Sequence, residues 1–299
     1  MEPRALIAWD HPLPAPAKIN LFLHVVGRRA DGYHLLQTAF RMLDHGDTLT
    51  FSPAEDGQVR RVGSVPGVAA DDDLCVRAAR LLQREAKVEA GVTIGLDKRL
   101  PLGGGLGGGS SDAATTLIAL NRLWGVDWPR RRLQALALQL GADVPFFVFG
   151  RSAFAEGVGE ELLPLPLEPA WYLVVEPGVA VPTGEIFAAP DLTRSTKIIK
   201  IADFSAGWAA GSMHNDLQPV VCARHPTVAA ALDWLRRYGD ARMTGSGACV
   251  FASFAGPDAA FQALAQLPLG WRGWVARGLD THPLYGSETE DFLGSRQAG

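Results

Sequence analysis

Apolar residues along this chain fall into two rhythms, and each rhythm predicts elements. Ile19, Leu21, Leu23 and Val25 occupy every second position, as do Val92, Ile94 and Leu96. Side chains alternate across a strand, so both runs read as half-buried strands. Between them Leu74, Ala78, Leu81 and Leu82 follow helical spacing behind Asp72 and Asp73. Either aspartate can accept from the free amides of the first turn and cap that helix. A second helix is predicted from about Ser110 to Trp124, with Ala113, Leu117, Leu120 and Trp124 on one face and Gly125 as its stop. A third carries Leu133, Leu136, Ala137 and Leu140 and ends at Gly141.

The composition shifts once, at Leu162-Leu-Pro-Leu-Pro-Leu-Glu-Pro169, where three prolines interrupt an apolar stretch. Proline neither continues a helix nor donates to a ladder, which suits a connection between domains. A division into residues 1–165 and 166–299 is therefore expected. Beyond it the pattern predicts a strand at Trp171–Glu176, a helix around Val228, Leu232 and Leu235, and strands near 241–244 and 249–254. A helix at 257–267 and a strand at 271–276 follow. Strand pairs interleaved with helices give an α+β fold, helices lying on one face of a mainly antiparallel sheet.

Bulk composition narrows the classes of function. Of 299 residues, 47% are apolar and 20% charged, enough to bury a core and too apolar for a disordered chain. The net charge of −4 provides no overall positive field for nucleic acid; Arg130, Arg131 and Arg132 read as a solvated helix start. Cys75, Cys222 and Cys249 lie far apart with no C-x-x-C pair, which excludes a disulfide framework and a cysteine zinc site and fits a reducing compartment. No signal-type apolar segment follows Met1, and no run approaches ~20 apolar residues. A soluble cytoplasmic protein without a membrane partner is expected, as a monomer or a weak dimer.

The segment richest in chemistry is Pro101-Leu-Gly-Gly-Gly-Leu-Gly-Gly-Gly-Ser-Ser-Asp112. Its glycines leave the backbone free to turn N–H groups toward one point. Ser110, Ser111 and Asp112 then open a helix whose positive end faces whatever the loop holds, and a polyphosphate suits both features. A Walker loop would close on Gly-Lys-Ser/Thr, and no lysine follows these glycines. Gly103, Gly105 and Gly108 satisfy G-x-G-x-x-G. A dinucleotide fold, however, sets that pattern at the chain's start with an acid about twenty residues on, where Asn121 and Trp124 stand here. A flexible surface linker is the remaining alternative, and a linker rarely runs straight into a capped helix.

Other polar groups stand in apolar settings. Lys18 and Asn20 share one face of the first predicted strand, opposite Ile19 and Leu21; they either point into a cleft or lie on an exposed strand face. Asp143 falls between a helix stop and an aromatic run, where an unpartnered carboxylate would be costly to bury. It caps a short helix beginning near Val144 and Pro145, or is held beside a cation for chemistry, or both. Tyr33 and His34 follow the turn Ala30-Asp31-Gly32; such a pair can stack on and hydrogen-bond to a flat heterocycle, or simply lie at the surface. Met243-Thr-Gly-Ser-Gly-Ala248 is a second small-residue turn, either structural or open to a close backbone approach.

Taken in order, Pro16-Ala-Lys-Ile-Asn-Leu21, Leu102-Gly-Gly-Gly-Leu-Gly-Gly-Gly-Ser-Ser111 and Thr244-Gly-Ser-Gly-Ala248 resemble three signatures of the GHMP kinases, the family of galactokinase, homoserine kinase, mevalonate kinase and phosphomevalonate kinase. Gly27-Arg-Arg-Ala-Asp-Gly-Tyr-His34, Gly141-Ala-Asp-Val-Pro145, Phe154-Ala-Glu-Gly-Val-Gly-Glu160 and Asn215-Asp216-Leu217 extend the likeness over most of the chain. They are similar to the branch that phosphorylates a cytidyl-diphosphate polyol. The resemblance implies a two-domain fold, with an N-terminal ribosomal-protein-S5-like nucleotide domain and a C-terminal ferredoxin-like α/β sandwich. It implies ATP as phosphoryl donor, held by Lys98, Pro101, Leu102, Gly103, Gly104, Gly105, Leu106, Gly107, Gly108, Gly109, Ser110 and Ser111. Mg2+ would arrive with ATP, bridging its β- and γ-phosphates, with Ser111 as a possible ligand. Lys18 and Asp143 are implied as the catalytic pair: Asp143 accepts the proton of the substrate hydroxyl, and Lys18 holds Asp143 and the transferring phosphoryl group. The implied substrate is a small molecule with a cytidine diphosphate moiety, its base surrounded by Tyr33, His34 and Phe187 and its polyol end placed by Asn20 and Thr183. Asp112 stands where many relatives carry Asn or Ala and is expected to point outward as part of the helix cap. Homoserine kinase, a mevalonate-pathway kinase and a non-catalytic ATP-binding protein are the alternatives. The Gly32-Tyr-His34 segment speaks against the first two, and the joint presence of Lys18 and Asp143 against the third.

Overall fold

Residues 6–63, 65–204, 207 and 213–285 are described by a computed structural model. The chain opens with two long antiparallel strands, β1 (Leu13–Arg28) and β2 (His34–Ala54). Their register shifts between Pro16 and Lys18 and again between Asn20 and Phe22. Irregularities of this kind re-aim the side chains beside them, and here they bracket Lys18 and Asn20.

β3 (Val59–Val62), α1 (Leu74–Ala86), β4 (Gly91–Asp97), α2 (Gly108–Leu123), α3 (Arg130–Ala137) and α4 (Val144–Phe149) follow. β5 (Ala153–Glu156) and β6 (Glu161–Pro164) lead to the proline-rich connection, which runs on to β7 (Trp171–Glu176). Then come α5 (Thr183–Phe187), α6 (Gln218–Arg224), α7 (Pro226–Leu235), β8 (Ala241–Met243), β9 (Val250–Phe254), α8 (Pro257–Leu264) and β10 (Arg272–Leu279). The sheet runs β3-β4-β2-β10-β7-β9-β8, with β1 and β5 also paired to β2 and β6 to β5. Among the described strands β3–β4 is parallel and the other pairs are antiparallel. β10 meets β2 only through Gly278 opposite Leu43 and Leu279 opposite Met42.

Several sequence expectations are corrected. β1 is not half-buried: Lys18, Asn20, Phe22 and His24 are as inaccessible as Ile19 and Leu21. The glycine loop and the turn at residues 244–248 close over it, through Lys18 N–H to Leu106 O at 2.9 Å and Asn20 N–H to Thr244 Oγ1 at 3.0 Å. α2 begins at Gly108, ahead of Ser110, and is buried continuously from Ser111 to Leu120 rather than along one stripe. α1, α4 and β1 all pack on it. Of the two candidate caps for α1, Asp73 does the capping: its carboxylate accepts from Cys75 N–H at 2.8 Å and pairs with Arg61 at 2.9 Å. Of the three arginines opening α3, Arg131 and Arg132 are exposed as expected, Arg132 lying over the Trp128 ring at 3.4 Å, whereas Arg130 is half-buried over the Tyr285 ring at 3.7 Å.

Candidate active site

The glycine loop leaves β4 and enters α2 with its carbonyls turned into the protein. Gly104 O accepts from Cys249 N–H at 3.2 Å, Gly105 O from Thr244 Oγ1 at 3.1 Å, Leu106 O from Lys18 N–H at 2.9 Å and Gly107 O from Ser111 N–H at 2.8 Å. In a trans peptide the next N–H points opposite to its carbonyl. The amides of Gly105, Leu106, Gly107 and Gly108 therefore face away from those partners, and among the described residues nothing accepts from them. Two positions demand glycine. Gly105 has φ +75°, and a Cβ there would lie 2.2 Å from Thr244 O; at Gly107, φ +69°, it would lie 3.0 Å from Lys18 Cγ. A row of convergent amides ahead of a helix N-terminus is an anion cradle.

The loop forms one wall of a cavity of about 870 Å³. Lys18, Asn20, Tyr33, His34, Lys98, Asp143, Thr183 and Phe187 line it, together with Pro101 through Ser110. Ser111 does not: it is fully buried, and its Oγ has no hydrogen-bond partner. The residues picked out from sequence thus come together from elements far apart in the chain.

Asp143 occupies the N-cap position of α4 but makes no capping hydrogen bond. Its carboxylate instead lies 3.3 Å from Lys18 Nζ, with the lysine side chain 4% exposed and the aspartate 35%, so the carboxylate is the partner open to the cavity. Lys18 Nζ also donates to Asn20 Oδ1 at 2.6 Å and sits 5.3 Å from the centre of the Phe40 ring. Asn20 in turn donates to Thr38 Oγ1 at 2.9 Å. The ammonium is held from several sides and cannot swing to solvent.

Lys98 sits behind the loop between two carboxylates, 2.5 Å from Asp47 Oδ2 and 2.7 Å from Asp112 Oδ2. Asp112 is therefore corrected: it points inward, 2% exposed, because Lys98 offers it a partner that solvent would otherwise supply. Burial pushes its carboxyl up to about 7, against the pull of Lys98 and with the repulsion of Asp47. Burial opposes the charge on Lys98, but Asp112 and Asp47 outweigh it and hold its pKa above the usual lysine value. Asp47 was not a candidate from sequence. Its Oδ1 accepts from the backbone of Arg99 at 2.6 Å and Leu100 at 2.8 Å, fixing the root of the loop, and no local pattern marks an aspartate whose partners lie half a domain away.

At the opposite end, the His34 and Phe187 rings are 5.1 Å apart at 37°, and Tyr33 stands exposed on the rim. Thr183 Oγ1 pairs with Ser246 Oγ at 2.6 Å, which ties α5 to the 244–248 turn. Asn215 donates to Met243 O at 2.9 Å and Gly245 O at 2.8 Å, so Asn215 supports that turn, while Leu217 of the same Asn-Asp-Leu segment lines the cavity. Among the described residues no group of three His, Cys, Asp or Glu is placed to hold a metal ion, and no helix is long and apolar enough to cross a membrane.

An amide cradle opening beside a lysine–carboxylate pair is the arrangement of a small-molecule kinase. The model of the GHMP kinases N terminal domain matches residues 73–151, and that of the GHMP kinases C terminal region matches residues 201–272. The 4-diphosphocytidyl-2-C-methyl-D-erythritol kinase of Thiobacillus denitrificans is 65% identical over 272 residues, spanning 91% of this chain and 96% of its own. That of Aromatoleum aromaticum is 62% identical over 273 residues, spanning 91% and 95%. A crystal structure of 4-(cytidine 5'-diphospho)-2C-methyl-D-erythritol kinase, 37% identical, superposes with a TM-score of 0.79 over 90% of this chain and 99% of that one. A mevalonate kinase structure at 14% identity shares the fold, with a TM-score of 0.65 over 90% and 99%. The chain belongs to the GHMP kinase family, among its 4-diphosphocytidyl-2-C-methyl-D-erythritol kinases. The GHMP kinase fold expected from the sequence is the one found, and the activity is that of an ATP-dependent kinase with an alcohol as acceptor.

Proposed function

We propose that this protein transfers the γ-phosphoryl group of ATP to the 2-hydroxyl of 4-diphosphocytidyl-2-C-methyl-D-erythritol, giving the 2-phosphate and ADP in the non-mevalonate isoprenoid pathway. The observation that carries the reading is the row of unpaired amides from Gly105 to Gly108, turned away from the protein while every carbonyl between them is anchored. These donors suit the phosphates of ATP, with Lys98 behind them. Asp143 accepts the proton of the attacking hydroxyl, and Lys18 holds the carboxylate in place and offsets negative charge on the group in transfer. Mg2+ arriving with ATP would neutralise its β- and γ-phosphates. Ser111, the possible ligand for that ion, is fully buried and does not line the cavity, so its hydroxyl as placed does not hold it. Tyr33, His34 and Phe187 enclose the cytosine ring, and Asn20 and Thr183 place the polyol. The three free cysteines accord with a cytoplasmic setting.

An ADP-release assay with the cytidyl substrate, homoserine and mevalonate side by side tests the substrate. Release is expected with the first alone, and turnover of homoserine or mevalonate in its place overturns the assignment. Asp143→Asn tests the chemistry. General-base catalysis contributes about 10²–10⁴-fold, so kcat is expected to fall at least about a hundredfold with ATP affinity little changed. Turnover like that of the unmodified enzyme removes the carboxylate from the mechanism.

A further inference from the structure

Arg194 lies in the extended segment after α5, far from the glycine loop, and no motif marks it. Its guanidinium nevertheless binds the His34 ring and the backbone of Phe187. Nε–H donates to His34 Nε2 at 3.1 Å. One terminal nitrogen donates to Phe187 O at 3.0 Å and Ala189 O at 2.6 Å, and the other to Leu192 O at 3.0 Å. The last residue of α5 and the first residue of β2 are thus fixed to one planar fork.

The bond to His34 has a chemical consequence. A guanidinium stays protonated and has no acceptor, so the imidazole nitrogen facing it must offer a lone pair. That leaves the ring proton on Nδ1. Burial pulls the His34 pKa below its ordinary value, and the charges of Arg194 and Arg28 add to this, so the neutral ring is the one favoured. The His34 ring has no other hydrogen bond among the described residues, and the residue lines the cavity.

We propose that Arg194 is a positioning residue for substrate recognition: it locks His34 in the Nδ1–H tautomer and orients it beside Phe187, so that the ring presents one hydrogen-bond donor to an acceptor edge of the pyrimidine base. The inference rests on the proposed cytidyl substrate, whose cytosine carries acceptors at N3 and O2 that would receive no proton from Nδ1 of a histidine protonated on Nε2 alone.

The tautomer is tested without any substrate. Nitrogen-15 NMR of histidine-labelled full-length protein near pH 7.5 is expected to show His34 protonated on Nδ1. In Arg194→Met the ring is expected to lose that preference, and in Arg194→Lys, which keeps a donor, to retain it. In the coupled assay Arg194→Met is expected to raise KM for the cytidyl substrate about three- to tenfold, the range of one lost hydrogen bond, with KM for ATP moving far less and Arg194→Lys recovering part of the loss. A His34 protonated on Nε2 or doubly protonated in the unmodified protein overturns the proposal, as does an equal rise in both KM values. If the unmodified enzyme releases no ADP with the cytidyl substrate, the substrate assignment fails, while the NMR result still decides what Arg194 does to His34.

Discussion

Asp112 shows how a single buried carboxylate can be tolerated beside the proposed phosphate cradle. Its ionised form is desolvated and faces Asp47 across a shared lysine, and its carboxyl is pushed up to about 7, well above the ordinary aspartate value of 3.8. The folded protein therefore binds a proton that the unfolded chain has already released between those two values. Stability from this group is present below the unfolded value and is lost as pH rises toward 7. Asp112→Asn keeps the shape and removes the charge, while Asp47 remains to pair with Lys98. The variant is expected to melt at least about 2–4 °C higher than the unmodified protein at pH 8.5, the shift of roughly 1 kcal/mol in a chain of this size, with the advantage shrinking toward pH 5. A constant difference across that range would show that repulsion and burial of the charge are not what the site bears. At this scale the sequence was readable where chemistry lies next to chemistry, as in Lys18 with Asn20 or Tyr33 with His34. It was silent on Asp47 and Arg194, whose partners are brought by the fold from distant strands and loops.

The glycine loop is the element proposed to bind ATP, and its shape is imposed from outside. Gly105 lies against Thr244 so closely that its carbonyl accepts the threonine hydroxyl at 3.1 Å, and a methyl group in place of its hydrogen would lie 2.2 Å from Thr244 O. The left-handed backbone at Gly105 adds roughly 1–2 kcal/mol against any other residue. Gly105→Ala is therefore expected to push the loop off the 244–248 turn and weaken ATP binding at least about tenfold, measured by calorimetric titration, because the amides would no longer converge. ATP affinity within twofold of the unmodified protein would mean that the cradle lies elsewhere. Most elements were legible from their periodicity: the strands β1, β4 and β7 to β10, and the helices α1, α2, α3, α7 and α8, lie where apolar spacing put them to within a few residues. What periodicity could not give was burial on both faces of β1, or around the whole of α2. Periodicity reports how apolar residues alternate with polar ones, and here polar ones are buried as well: Lys18 and Asn20 beneath the cavity, Thr115 and Thr116 bonded to the carbonyls of Pro14 and Asp112.

At the scale of the whole molecule, the segment after β10 returns to the junction of α4 and β5 and closes over it. Arg151 forms a bridge with Thr281, His282 N–H donates to Gly150 O at 2.9 Å, and the Tyr285 hydroxyl donates to Val148 O at 2.9 Å. At the centre of this closure His282 is completely buried, with Nδ1 accepting from Leu284 N–H at 3.2 Å. Burial first, and the charge of Arg130 second, together lower its pKa to about 3. As pH falls below about 6.5, the unfolded chain binds a proton on this ring that the folded protein refuses, so stability is full above that value and declines toward pH 3. The slope from one such group is roughly 1.4 kcal/mol per pH unit. His24, lowered to about 4 by its own burial and by His214, acts with the same sign. Asparagine at position 282 preserves an acceptor for Leu284 but cannot take up a proton. Between pH 7.5 and pH 5, His282→Asn is expected to lose about 2 kcal/mol less stability than the unmodified protein, read from urea midpoints at both values. Parallel losses would place the acid sensitivity in the carboxylate pairs instead, and the closing segment would then be held by its backbone bonds alone.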